Sequence, residues 1–201
     1  SSEFDAHLAG VLGYCAHIVL AANLPEPDRR FGSALDLGCG TGLCGPLVKP
    51  RADRLTGVDL AGRMLEQARA LGVYDRLERA ELVAWLEANL ETFDLIVSAD
   101  VFIYIGDLER LFAGARRALA TGGVFCCSIE LAASGSGSGS DSDGAGTGFA
   151  LQPSLRYTHG AGYIRELATR HAFAVERSLH APLRQDRQQT VDGMYFYLTA
   201  S

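Results

Sequence analysis

Apolar and polar positions divide the chain into short β-type runs separated by helix-compatible stretches. The runs are ALDLG near residue 34, LTGVDL near 55, LERAE near 77, FDLIVSA near 93 and GGVFCCSIE near 122. Between them, the segments at roughly Ala61 to Leu71, Leu82 to Leu90 and Asp107 to Ala120 have the length and composition of helices. Parallel strands need such crossovers, and the crossovers wind right-handed. A further helix is predicted near Gly162 to His171, and FAVERSLHA and MYFYLTA read as a closing antiparallel pair. The pattern thus predicts an α/β three-layer sandwich: a mostly parallel seven-stranded sheet with an antiparallel last strand.

Two segments stand apart from this alternation. Phe4, Leu8, Val11, Leu12, Cys15 and Val19 follow three-and-four spacing, the apolar stripe of a helix lying on a protein core. We therefore expect residues 1–30 to form an N-terminal helical cover and residues 31–201 the main domain. The stretch between Asp5 and Glu26 has no charged side chain, but His7, His17 and Asn23 interrupt it and its flanks are acidic, so neither a membrane span nor a signal peptide is expected. The other segment, SGSGSGSDSDGAGTG at 134–148, is too small and polar to offset the entropy of ordering it and is expected to be a flexible surface loop.

Composition narrows the class. With 201 residues, 48% hydrophobic and 21% charged, the chain suits one globular domain with a sizeable core. Its net charge of −6 repels phosphate backbones, and no basic stripe or interleaved aromatics point to DNA or RNA. The five cysteines, at 15, 39, 44, 126 and 127, are odd in number and lack zinc-site spacing. We expect no structural metal and a reducing, cytoplasmic setting. Cys126 and Cys127 should point to opposite faces of a strand. The chain starts with Ser, consistent with a processed chain or an excised domain.

The strongest chemical signal is Ala34-Leu35-Asp36-Leu37-Gly38-Cys39-Gly40-Thr41-Gly42, a buried strand ending in an acid and then a loop with glycine at every second position. Such a loop lets backbone approach a ligand, and the helix expected near Leu43, with Pro46 in its first turn, adds amides suited to an anionic group. The competing reading is an ordinary glycine-rich turn. Asp59 ends the next strand 21 residues after Gly38, where a carboxylate can accept from two ribose hydroxyls. A dinucleotide fingerprint would require a third glycine where Leu43 stands, and no Gly-Lys-Ser/Thr follows the loop. A nicotinamide oxidoreductase and a Walker-type phosphate site are both disfavoured.

At these positions the chain resembles the class I methyltransferases that use S-adenosylmethionine. LDLGCGTG is similar to that family's first motif and GVDL to its second, and the likeness continues through AEL at 80–82, FDLIVSAD at 93–100 and Gly122-Gly123. FDAHL and LRYTH resemble a bacterial branch whose domain often follows tetratricopeptide repeats, which would place any such module outside this chain. The resemblance implies a Rossmann-like fold and S-adenosylmethionine as cofactor, released as S-adenosylhomocysteine. It further implies that Gly38, Cys39, Gly40 and Gly42 lie under the methionine part with Asp36 organising its ammonium end, that Asp59 and Leu60 hold the ribose, and that Leu82 contacts the adenine. Glu81 is expected either opposite the adenine amino group or as a helix N-terminal acid. Ser98, Ala99 and Asp100 should border the transferred methyl, with turn-capping the alternative for Asp100.

Positioning can supply most of the acceleration when the methyl is already electrophilic, so a base is optional. The residues expected at the acceptor are His159 and Tyr104 as catalytic groups, with Tyr14, Tyr104 and Tyr157 as substrate contacts; hydrogen-bonded packing is the competing reading for His159, a core position the commoner one for Tyr104, and surface placement the alternative for Tyr14. No Asn/Asp-Pro-Pro-Tyr/Phe sequence follows the fourth strand, which disfavours amino groups of bases or glutamine. A small organic acceptor modified on oxygen is expected. A protein side chain as acceptor, or a silent binding module, are the alternatives.

Overall fold

The computed structural model describes residues 15–131, 148–186 and 189–201. The expectations for residues 1–14, Tyr14 included, and for 134–147 of the Gly/Ser loop lie outside the described residues. Seven strands form one sheet: β1 (Phe31–Leu37), β2 (Ala52–Asp59), β3 (Arg76–Arg79), β4 (Phe93–Ser98), β5 (Leu119–Glu130), β8 (Phe173–Asp186) and β9 (Gln189–Ala200). Their order is β3-β2-β1-β4-β5-β9-β8, and β9 alone runs against its neighbours β5 and β8. The predicted parallel sheet and antiparallel last strand are both present.

Burial explains the strand sequences. β1 and β4 are central and buried along nearly all their length, so they read as unbroken apolar runs. Alternate side chains separate into two cores. Leu35, Ile96, Phe125 and Cys127 face one layer, while Ala34, Val97, Val124 and Cys126 face the other, so the adjacent cysteines do point to opposite faces.

Helices α4 (Leu82–Ala88), α5 (Glu109–Ala118) and α6 (Ala161–Arg170) cover the first face, and α1 (Ala16–Ala22) and α2 (Gly45–Val48) cover the second. Helix α3 (Gly62–Ala70) connects β2 to β3. Gly114 of α5 lets α4 approach, since a Cβ there would meet that of Leu86 at 2.7 Å. The helix expected near Leu43 begins at Gly45, with Pro46 in its first turn, and gives way after four residues to a 3-10 turn at Lys49–Arg51.

A two-stranded sheet that the pattern had not indicated joins β6 (Phe149–Leu151) to β7 (Tyr157–His159). In β8 a bulge at Pro182/Arg184 leaves Leu183 and Arg184 both buried, breaking the usual alternation. Among the described residues no helix is long and apolar enough to cross a membrane.

The chain order reverses between β2-β1 and β4-β5, so β1 and β4 are neighbours whose connections leave in opposite directions. The crevice at their carboxyl ends is where open α/β sheets bind ligands. Phe112 holds the first core together, packing edge-on to Phe125 and Phe173 with centroids 5.4 and 6.2 Å away. Replacing Phe112 by Ala should cost about 3–5 kcal/mol, read as a lowered midpoint in urea denaturation.

Candidate functional site

At the end of β1 the backbone turns through Gly38, φ 80°, and is laid onto the end of β2: Gly38 and Cys39 donate their N–H groups to the Val58 carbonyl at 2.8 and 3.1 Å. A Cβ at Gly38 would lie 2.5 Å from a methyl of Val101, so the loop and the segment after β4 touch where only glycine fits. Asp59 ties the turn down. Its Oδ2 accepts from Gly40 N at 2.8 Å and its Oδ1 from Ala61 N at 2.7 Å.

These elements enclose a cavity of about 650 Å³. Asp36, Gly38, Cys39 and Gly40 form its floor; Asp59, Leu60 and Met64 stand along one side with Glu81 and Leu82, and Ala99, Asp100, Val101, Tyr104 and Ile105 along the other. Ala16 and His17 of α1 also line it. Helix α1 is held there from below, since Tyr197 Oη donates to the Leu20 carbonyl at 3.1 Å and Cys15 N to that of Leu183 at 2.9 Å.

Two carboxyl groups are buried in this wall. Asp36 is 1% exposed, and burial pushes its pKa to about 7 despite a 2.6 Å hydrogen bond from the Tyr74 hydroxyl; the nearby charge of Asp59 raises it further. Asp100 has φ 58° and is anchored through its N–H on Ser128 Oγ at 2.8 Å. Burial raises its pKa to about 6, against the lowering influence of Arg184, while Glu130 raises it and Arg156 lowers it. Arg184 Nη1 donates to Asp100 Oδ1 at 2.7 Å and Nη2 to Glu130 Oε2, a buried guanidinium between two acids. Burial lowers the pKa of His17, leaving a neutral imidazole at the cavity wall. It raises that of Cys39 well above the usual thiol range, so Cys39 is a packing thiol.

Gly42 and Ser98 do not line this cavity. Gly42 turns its Cα away from the cavity, where a Cβ would meet Leu71 and Tyr74 at 2.8 and 3.0 Å. Ser98 is fully buried and donates to the Leu37 carbonyl at 2.9 Å, fastening β4 to β1. Glu81 is the N-cap of α4, accepting from Val83 N at 3.0 Å and Ala84 N at 2.8 Å while still bordering the cavity.

His159 and Tyr157 do not line this cavity. His159 is 2% exposed in β7, with its Nε2 3.0 Å from the Gly106 carbonyl and its ring stacked on Tyr163. Tyr157 packs on Gly106 and Phe149. Both secure the small sheet to the loop after β4, which for His159 is the packing role weighed as its alternative. Tyr104 does border the cavity, 69% exposed at its mouth.

His17, Met64, Val101 and Ile105 were not anticipated. Three are apolar, with no chemical signature, and His17 had registered only as a polar interruption of an apolar stretch.

Residues 35–125 match the family model described as a methyltransferase domain. A malonyl-[acyl-carrier protein] O-methyltransferase of Geobacter sulfurreducens is 36% identical over 138 residues, 64% of this chain and 49% of that protein. Nodulation protein S of Bradyrhizobium diazoefficiens is 31% identical over 104 residues, 47% of each chain. The chain thus spans about half the length of these curated relatives. Among solved structures, the N-methyltransferase NodS of Bradyrhizobium japonicum, in complex with S-adenosyl-L-homocysteine, superposes with a TM-score of 0.68 at 19% identity over 92% of this chain and 85% of that one.

The raised carboxyl groups set a direction for pH dependence. Between the ordinary carboxyl pKa of 3.8 and about 7, the folded protein keeps a proton on Asp36 that the unfolded chain has released. The stability contributed by this group is therefore full at low pH and falls as pH rises. The unfolding free energy of unliganded wild type, measured by urea denaturation against that of Asp36→Asn from pH 4 to 8, should decline relative to the variant by on the order of 2–4 kcal/mol.

Proposed function

We propose that this chain is a class I S-adenosylmethionine-dependent methyltransferase, a reading supported by the match to the methyltransferase-domain model and by the likeness in fold, and that it transfers the cofactor's methyl group to an oxygen of a small organic acceptor. The observation that carries the reading is the convergence, on one cavity at the β1/β4 crevice, of the acid-ended strand, the glycine loop and Asp59. Its volume lies within the range of small-ligand sites. The residues present suit the cofactor. Asp36 offers a carboxyl group to an ammonium, and Gly38 and Gly40 leave space for the amino-acid chain. Each oxygen of Asp59 accepts one backbone N–H and keeps lone-pair capacity for a ribose hydroxyl. Leu60, Met64 and Leu82 supply apolar surface for a planar base.

When bound, the cofactor supplies a sulfonium methyl that is already electrophilic. The chain's task is to exclude water and align an incoming lone pair. Ala16 and His17 of α1 line the cavity together with Tyr104 and Ile105, and the acceptor would enter beside them. His17, neutral because it is buried, can take the proton released by a hydroxyl. It replaces His159 as the base in our assignment, because the Nε2 of His159 is engaged with a backbone carbonyl and its Nδ1 is shut off from solvent. The acidic net charge and apolar rim favour an uncharged or apolar acceptor over nucleic acid.

Labelled S-adenosylmethionine offered with a panel of phenols, carboxylic acids and amines tests the reading. Label in the oxygen acceptors is expected; label confined to amines or to protein would overturn the acceptor assignment, and binding without consumption would make the domain a silent module. Asp59→Ala should weaken S-adenosylhomocysteine binding by about 1–3 kcal/mol in calorimetry. His17→Gln should lower kcat by about 100-fold or more while cofactor affinity changes little, separable by comparing turnover with binding.

A further inference from the structure

Tyr74 lies between α3 and β3, and its hydroxyl donates to Asp36 Oδ2 at 2.6 Å. Its ring fills a slot whose walls are glycine on three sides. A Cβ at Gly45 would fall 2.7–2.8 Å from the ring's Cε2 and Cζ and from the hydroxyl, one at Gly42 would be 3.0 Å from Cε2, and one at Gly57 would be 3.0 Å from Cδ1. Gly45 and Gly57 are not among the glycines with left-handed backbone, so contact rather than conformation is what excludes a side chain there. Three elements have given up side chains around a single ring: the glycine loop, the start of α2 and the middle of β2.

We propose that Tyr74 is the positioning residue for the cofactor's cationic amino-acid end, its hydroxyl holding the Asp36 carboxyl group in the orientation that presents negative charge to the ammonium. The inference rests on the assignment of Asp36 to that ammonium made above. The surroundings of Asp36 explain why such a partner is needed. Its neighbours in register are Gly57 on β2 and Val97 on β4, neither of which titrates. Among the described residues, the titratable groups that act on it or feel its charge are Tyr74, Asp59, Cys39 and Cys44. None is a cation.

Burial and the neighbouring carboxylate drive the Tyr74 phenol far above its ordinary range, so it remains a donor at every accessible pH. Its hydrogen bond is the influence that lowers the Asp36 pKa against burial and Asp59. Tyr74 therefore sets both where the carboxyl oxygen lies and how readily it ionises before the ligand arrives.

Two measurements on Tyr74→Phe, which keeps the ring in its slot, separate this role from space-filling. The first is the 13C-carboxyl NMR titration of Asp36 in the unliganded protein. Wild type should titrate near pH 7 and the variant at distinctly higher pH; superimposable curves would make Tyr74 a packing residue and end the proposal. Gly45→Ala, whose methyl would crowd the same hydroxyl, should move the titration in the same direction.

The second is the affinity for S-adenosylhomocysteine by calorimetry from pH 6 to 9, where the ligand's own titration is common to all variants. Tyr74→Phe should bind about tenfold more weakly near pH 7 and approach wild type as pH rises. Asp36→Asn should bind weakly without that rise. If Asp36→Asn matches wild type across the range, the ammonium assignment itself fails. If Asp36→Asn is weakened while Tyr74→Phe follows the wild-type profile, only the role of Tyr74 fails.

Discussion

Burying a carboxyl group at the end of a central strand is the constraint around which the ligand-binding edge of this fold is arranged. Asp36 has almost no exposed surface and, among the described residues, no cation acts on it, so an uncompensated charge there would be costly. The fold answers with a phenol hydrogen bond and with a pKa raised to about 7, so that the group is partly protonated near neutrality until something cationic shares the cavity. The glycines at 42, 45 and 57 admit the phenol ring that makes this possible. Gly38, pressed against Val101, brings the loop close enough to the segment after β4 to close the cavity floor.

Asp100, on the other side of the crevice, meets the same problem with the opposite solution. A guanidinium from β8, a strand more than eighty residues later, reaches it, and Glu130 shares that guanidinium. A buried ion pair of this kind is a weak source of net stability but a strong determinant of geometry, because removing one partner strands the others. Here it locks the edge hairpin of β8 and β9 to the ends of β4 and β5. The bulge at Pro182/Arg184 turns the arginine inward, and the same stretch of β8 receives Cys15 of the helix that brings His17 to the cavity.

The two halves of the cavity therefore differ in character. The β1-β2 side is built from backbone turns and acids whose capacity for hydrogen bonds exceeds what the protein itself uses, as suits a ligand with an ammonium and a sugar. The β4 side is more apolar and is framed by Tyr104, Ile105 and the cover helix. His159 serves that side from a distance. By holding the Gly106 carbonyl it pins the loop carrying Tyr104 to the small β6-β7 sheet.

The local pattern was enough for the succession of main-sheet strands and their helices, though not for β6 and β7, and for the parallel sheet with its antiparallel last strand, the opposed Cys126 and Cys127, and the glycine loop followed by Asp59, because each depends on residues close in sequence and on periodicities of the backbone. The residues that complete the cavity depend on contacts between distant segments. Tyr74 meets Asp36 across 38 positions and Arg184 meets Asp100 across 84, and neither pairing leaves a local mark. A histidine in sequence carries the same chemistry whether it faces a cavity or a backbone carbonyl, so only the packing of α1 over the sheet distinguishes His17 from His159. Sequence alone determined the glycine turn at the end of β1; tertiary structure decided which side chains stand around the cavity beside it, because burial and partnership are properties of the folded surroundings.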